Sequence, residues 1–354
     1  MGGILRKGWT TGACAAAAAK AAFAALHGGA FPDPVTIRLP RGVSAAFALA
    51  RTERHQDSAT AGVVKDAGDD PDVTHGAVIL ATVAPAPAGS GISYCAGPGV
   101  GTVTLPGLAL TVGEPAINPG PRAQIADNIG DAARDLGVAA DCVVTVAVED
   151  GARLAAKTLN ARLGIVGGLS ILGTTGVVIP YSCSAWVHSI QRGVDVAAAL
   201  GLPHLAAATG RTSEAAIRRA LALPEQAYID MGDMAGALLK ALRVKPSQRL
   251  TLAGGPAKLA KLAGGAMDLH SRAGRADLQR IAGWLEDLGG DGAAARHAGT
   301  VAEIVALAGA LPLADAIARR AREATLAVLA GGTEVAVWVV DRQGAVVGRA
   351  GDSP

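Results

Sequence analysis

The chain has 354 residues, of which 50% are hydrophobic, 18% charged and 3% aromatic, with a formal net charge of +2. A single core rarely grows past about 250–300 residues, so this length predicts two domains. The absence of a Lys/Arg block and the scarcity of aromatic rings exclude the charge footprint and stacking platforms of a nucleic-acid binder, and no long, strongly apolar run supports a membrane span.

Cys14, Cys95, Cys142 and Cys183 are widely spaced and form no C-x-x-C pair, so neither a zinc site nor a disulfide framework is expected. The apolar run 13–19 behind Arg6 and Lys7 is mostly alanine and is broken by Lys20. It is too weakly apolar for an export signal, and a cytoplasmic protein is expected.

Thr10-Thr11-Gly12 precedes a helix-forming run over residues 13–26 that Gly28-Gly29 ends. Threonine suits a helix N-cap and glycine its C-terminal stop. Residues 35–39, 45–52 and 77–83 follow as strands, and Gly97-Pro98-Gly99 turns between two short strands within 92–104. Residues 120–136 form a helix with Ile125, Ile129 and Leu136 on one face, and 143–148 form a strand before the Asp150-Gly151 turn. Strands in a run flanked by two helices predict an α+β first domain, residues 1–158.

From residue 159 the pattern changes. Four short apolar strands, at 163–166, 204–208, 228–231 and 250–253, each enter a glycine-rich turn, with helical stretches at 185–200, 213–222 and 234–242. This alternation predicts an α/β domain, 159–354, with a parallel sheet of about four strands and a ligand site beyond their carboxyl ends. The remainder is largely helical up to a last strand, 335–341, that is free to join either domain's sheet.

Four segments carry chemistry. Residues 167–176, with Gly167, Gly168, Gly173, Thr174, Thr175 and Gly176, match neither a Walker loop nor the dinucleotide fingerprint. Glycines there either let a ligand approach the backbone or serve tight packing. Lys65, Asp66, Asp69, Asp70, Asp72 and His75 lie within eleven positions. Cation binding by carboxylates, proton transfer by His75 and an ordinary solvated turn all fit that composition. Residues 97–119 form a Gly/Pro-restricted path, which a rigid hairpin would also need. Lys258 and Lys261, on one face of a helix that opens at a strand end, lead to Asp268, His270 and Arg272. They suit a multiply charged anion, as they would a solvated helix face.

Taken in order, Gly8-Trp9-Thr10-Thr11-Gly12-Ala13-Cys14-Ala15-Ala16-Ala17 and the segments 65–76, 99–119, 162–176, 228–233 and 258–272 resemble the CbiD family, the cobalt-precorrin-5B C(1)-methyltransferases. The likeness runs nearly end to end. Ala161, Ala266 and the turn 254–258 depart from the family's usual residues.

The resemblance implies methylation of carbon 1 of a corrin precursor by S-adenosylmethionine in anaerobic cobalamin biosynthesis, with cobalt carried by the substrate and no metal site on the protein. The nucleophile is then a ring carbon, and the protein aligns reactants and holds charge. On that reading His75 and His270, backed by Asp66 and Asp69, are candidates for proton transfer. Residues 167–176 with Asp230 and Asp233 are expected to hold the donor. Lys65, Arg122, Lys258, Lys261 and Arg272 are expected to meet the substrate's carboxylate arms. A homo-oligomer is compatible with the sequence. Two other classes compete: a nucleotide-dependent oxidoreductase or phosphotransferase using residues 167–176, and a non-catalytic corrinoid carrier.

Overall fold

In the computed structural model, which describes residues 5–351, the chain divides after Ser182 into two units, each with its own core. The first opens with strand β1 (Gly8–Trp9) and helix α1 (Thr11–Gly28). The Ala13 N–H donates to the Thr10 hydroxyl at 3.1 Å, and Gly29 ends the helix in the left-handed region. Then come a hairpin, β2 (Val35–Arg38) and β3 (Ser44–Phe47), and the strands β4 (Arg51–Arg54), β5 (Ala59–Val64), β6 (Val78–Pro85) and β7 (Ile92–Ala96). The short β8 (Thr102–Val103), helix α2 (Pro119–Leu136) and strand β9 (Cys142–Val148) follow. A five-stranded sheet runs β4-β5-β6-β9-β7, with only the β7–β9 pair parallel.

Inner and outer residues alternate along β6 and β9, as a sheet covered on one face requires. The cover is α1, which packs against β5 and β6 and also against α2. Its alanines are buried almost all round, and side chains that small are what allow a helix to lie between a sheet and a second helix. A short helix α3 (Gly151–Ala155) leads to β10 (Ile165–Val166) and β11 (Val177–Val178).

The second unit contains α4 (Cys183–Ala199), β12 (His204–Ala208), α5 (Arg211–Ala220), β13 (Tyr228–Ile229), α6 (Ala235–Val244), β14 (Arg249–Gly254) and α7 (Pro256–Ala263). Helices α8 (Leu278–Glu286), α9 (Gly292–Arg296), α10 (Val301–Ala308) and α11 (Leu313–Leu329) precede β15 (Glu334–Val340) and β16 (Val346–Ala350). Its sheet runs β13-β12-β14-β15-β16, parallel except for the β15–β16 pair. β14 and β15 are buried nearly throughout, as central strands covered on both faces must be.

Both units therefore mix helix and sheet, and each has a mixed five-stranded sheet. Three expectations need correction. Residues 163–166 do not supply a strand of the parallel sheet; Ile165 and Val166 pair antiparallel with Val103 and Thr102 in the first unit. The fourth parallel strand is β15 instead, which settles where the last predicted strand belongs. The break falls after Ser182 rather than near residue 158, because residues 159–182 are stitched into the first unit: β11 pairs with β1, and Leu169 and Ile171 are buried in the first core.

Candidate functional site

The second unit's sheet reverses direction between β12 and β14. From β12 the chain moves outward to β13 and then crosses back to β14 on the other side. At such a reversal the connections leave in opposite directions and open a crevice beyond the strand ends, where ligands of open α/β sheets bind. Thr209 and Gly210 leave β12, and Gly254 and Gly255 end β14 and lead into α7. A Cβ on Gly254 would stand 2.7 Å from the Thr209 hydroxyl, so only glycine lets these two strand ends approach so closely. At Gly210 and Gly255, by contrast, an added Cβ would meet no heavy atom within 4 Å.

A chain of hydrogen bonds ties this edge together. The Lys258 ammonium donates to the Thr209 carbonyl at 2.6 Å and lies 2.7 Å from Asp233 Oδ1. The Asp233 carbonyl accepts from the Leu269 N–H at 2.8 Å. Lys261 donates to the carbonyls of Leu269 and His270 at 3.0 and 3.1 Å. The Asp230 carbonyl accepts from the Trp186 indole at 3.1 Å. Asp233, Lys258, Lys261 and His270 thus belong to one connected edge, which Arg272 joins through its N–H on His270 Nδ1, while Asp230 is tied to Trp186. Thr209, Gly210 and Gly255 lie in strand-end turns where the sequence led us to expect a ligand site, but they are not among the individual site residues it singled out. The glycine turns after residues 208 and 253 were the available signal, but which two strands would be neighbours was not.

The first unit treats its charged segment differently. Lys65 is 1% exposed, with its ammonium 2.7 Å from Asp72 Oδ2. Asp72 in turn accepts from the Thr74 N–H and hydroxyl at 2.8 and 2.6 Å. Burial pushes the Asp72 carboxyl up, but the Lys65 ammonium and the Thr74 donors outweigh it, and the net shift is downward. Lys65 is therefore spent internally rather than offered to a substrate. Asp66 is gripped by the Arg6 guanidinium and accepts from the Gly68 N–H, which hold its carboxyl down at about 2. Asp69 accepts from the Arg6 N–H at 2.6 Å. These two carboxylates pin the N-terminal segment against the loop, and so acidic a group as Asp66 makes a poor base at neutral pH. Burial pushes the Cys14 thiol up to about 12, so it is no nucleophile.

Both candidate histidines share one geometry. His75 Nδ1 accepts from the Ala67 N–H, and His270 Nδ1 accepts from the Arg272 N–H, each at 3.1 Å. In the neutral ring the proton then sits on Nε2, which presents a donor. Acting as a base would require either ring to give up its backbone hydrogen bond.

Residues 167–176 do not lie at an end of the parallel sheet. The Thr10 N–H donates to the Gly176 carbonyl, and the Gly12 N–H and Thr11 hydroxyl donate to the Leu172 carbonyl. Gln124 Nε2 donates to the Gly173 carbonyl at 2.8 Å, and the Thr175 hydroxyl to the Val177 carbonyl. Gly173, at φ 122°, would place a Cβ 2.3 Å from Thr10 Cβ, and a Cβ on Gly168 would meet the Gly99 backbone. The glycines thus serve close packing around the start of α1; Gly167, Leu172 and Thr174 are the exposed part of the loop. Arg122 is also consumed locally: it pairs with Glu114, donates to the Ile117 carbonyl at 2.8 Å and lies over the Tyr94 ring. Among the described residues no cluster of metal-ligating side chains occurs, and no helix is long and apolar enough to cross a membrane.

Residues 2–180 match the family model CbiD, and residues 268–351 match the model of the CbiD C-terminal domain. A protein of Halorhodospira halophila named cobalt-precorrin-5B C(1)-methyltransferase is 55% identical, over 99% of this chain and 95% of the relative. One of the same name from Paramagnetospirillum magneticum is 56% identical over 98% of both chains. Among solved structures, a cobalamin biosynthesis protein (cbiD) of Archaeoglobus fulgidus shares 30% identity, covering 71% of this chain and 77% of that one, with a TM-score of 0.41. With one family model spanning half the chain and relatives matching it from end to end at more than half identity, the chain belongs to the CbiD family.

Proposed function

We infer that this chain transfers the methyl group of S-adenosylmethionine to carbon 1 of cobalt-precorrin-5B, giving cobalt-precorrin-6A in cobalamin biosynthesis. The observation that carries the reading is full-length similarity, above 50% identity, to proteins that bear this activity in their names. In such a transfer the carbon–sulfur bond of the sulfonium breaks as the ring carbon attacks. S-adenosylhomocysteine leaves with the bond's electron pair, and the donor's positive charge disappears from the site. A poorly hydrated site favours that loss of charge. The cobalt belongs to the substrate.

For the donor, the reading places S-adenosylmethionine in the crevice between the ends of β12 and β14, against Gly210 and Gly255 and near Asp230 and Asp233. Support comes from the direction reversal of the sheet and from the open space over both glycines. Residues 167–176 are left out of the donor site because most of that loop is spent on packing. His270, whose Nδ1 is taken by the Arg272 N–H, remains as a group that offers an Nε2 proton to the substrate.

The test is labelled-methyl transfer from S-adenosylmethionine to cobalt-precorrin-5B by the full chain. Label at carbon 1, with one equivalent of S-adenosylhomocysteine released, is expected. A protein that binds the corrin but transfers no label would be a carrier. One whose thermal midpoint rises with NAD or ATP but not with S-adenosylhomocysteine would be a nucleotide enzyme.

A further inference from the structure

The strand-end edge of the second unit differs from the charged loop of the first in what its cations have left to give. Lys258 already donates to the Thr209 carbonyl and pairs with Asp233, and Lys261 donates to the carbonyls of Leu269 and His270. Arg211, Arg272 and Arg275 are exposed, and no described residue pairs with their guanidinium groups. Arg211 opens α5 two residues after Thr209, whose carbonyl receives Lys258. Arg272 donates its N–H to His270 Nδ1, and Arg275 follows in the same exposed segment before Asp277 caps α8. The nearby carboxylates are engaged: Asp233 with Lys258, Asp268 with the His270 N–H at 2.9 Å, and Asp277 with the Arg280 N–H.

We propose that Arg211, Arg272 and Arg275 hold the carboxylate arms of the corrin substrate at this edge, while Lys258 and Lys261 position the backbone that presents them. The inference rests on the methyl-transfer reading for the identity of the substrate and goes beyond it in placing donor and substrate on one edge of one unit. A guanidinium meets a carboxylate with two parallel N–H donors, whereas a lysine that already donates to two oxygens has one left. Acetate and propionate arms on a flat ring need several separate cationic contacts. Three arginines without a partner among the described residues, on an edge tied by the Thr209–Lys258 hydrogen bond, the Lys258–Asp233 ion pair and the Asp233–Leu269 hydrogen bond, offer them without a strongly basic chain. A corrin held by its arms there would bring a ring carbon toward a donor lying over Gly210 and Gly255.

The experiment measures binding of cobyrinic acid, and of its fully esterified form, to the full chain and to Arg211→Gln, Arg272→Gln and Arg275→Gln. Arg41→Gln serves as control, Arg41 being an exposed arginine of the first unit. Each lost charge-assisted contact should weaken the acid's affinity roughly tenfold to a hundredfold. Affinity for S-adenosylhomocysteine and the thermal midpoint should stay at the parent's values. The ester should bind the parent weakly, and added salt should weaken the acid but not the ester. The proposal is overturned if all three variants bind the acid within about twofold of the parent, or if the ester binds as tightly as the acid. A parent that binds the acid through these arginines yet transfers no methyl group supports the edge and sinks the methyl-transfer reading, so the two fail separately.

Discussion

Lys65 and Lys258 each hold an ammonium 2.7 Å from an aspartate, yet they belong to different kinds of structure. Lys65 is 1% exposed and its partner 25%, in a loop whose remaining carboxylates are bound to Arg6 and to backbone N–H groups. Lys258 is 38% exposed, at a strand end where neighbouring glycines face open space and three arginines have no partner among the described residues. One ion pair closes a fold and the other frames a surface. Distance does not separate them; burial and the state of the surrounding donors do. A cluster of charged residues thus signals a site only when some of its groups remain unsatisfied.

The sharpest way to break this contrast is Lys65→Met. Removing one partner of a buried pair leaves Asp72 uncompensated, and a loss of about 3 kcal/mol is expected in urea unfolding. Unchanged stability together with lost corrin affinity would return Lys65 to the substrate site. Next in size is Gly173→Val, whose Cβ would stand 2.3 Å from Thr10 Cβ at a φ that side chains rarely adopt. It should cost about 2 kcal/mol or more. Gly255→Thr is its counterpart. With φ −67° and free space around it, that position should keep its stability within about 0.5 kcal/mol, while affinity for S-adenosylhomocysteine falls roughly tenfold. Equal stability losses at both glycines would remove the distinction between packed loop and open crevice.

Smaller effects sharpen it further. Lys258→Met should change stability by no more than about 1 kcal/mol, since partly exposed pairs contribute little. The smallest is a pH effect. Asp66 and Asp72 have folded-state pKa values below the ordinary carboxylate range. Their stabilisation is therefore present above about pH 4, and for Asp66 it is lost as pH falls through about 2. The thermal midpoint of the parent should decline over that window, and Asp72→Asn should decline less steeply. An equal slope in both proteins would mean that the Asp72 pair is not coupled to folding.

Much of the local structure was legible in the sequence. Thr10 and Gly29 bound α1, residues 120–136 fall within α2, and the strands ending at residues 208, 229 and 254 stand where the apolar runs placed them. Two elements were mistaken: residues 45–52, which divide between β3 and β4 in different sheets, and residues 163–166. A four-residue apolar run before a glycine turn looks the same whether it joins a parallel sheet or pairs antiparallel with β8, because strand partners lie far away in sequence. The roles of charged residues were less legible. Nothing local shows that Lys65 is buried on Asp72, that Arg6 grips Asp66, or that Arg122 is taken up by Glu114 and the Ile117 carbonyl.

By itself the sequence determined the helices and strands that depend on nearby residues, through caps, turns and hydrophobic period, and its ordered motifs determined the family. Tertiary structure decided two things. It assigned the glycine loop 167–176 to the packing around α1, because Thr10 and Gln124 meet it only after the chain folds back. It also made β12 and β14 neighbours, which sets two glycine turns side by side at the strand ends and brings Lys258 to the Thr209 carbonyl. Both outcomes depend on contacts between residues distant in the chain, and the order of strands in a sheet is set by which faces and edges pack together rather than by any local preference.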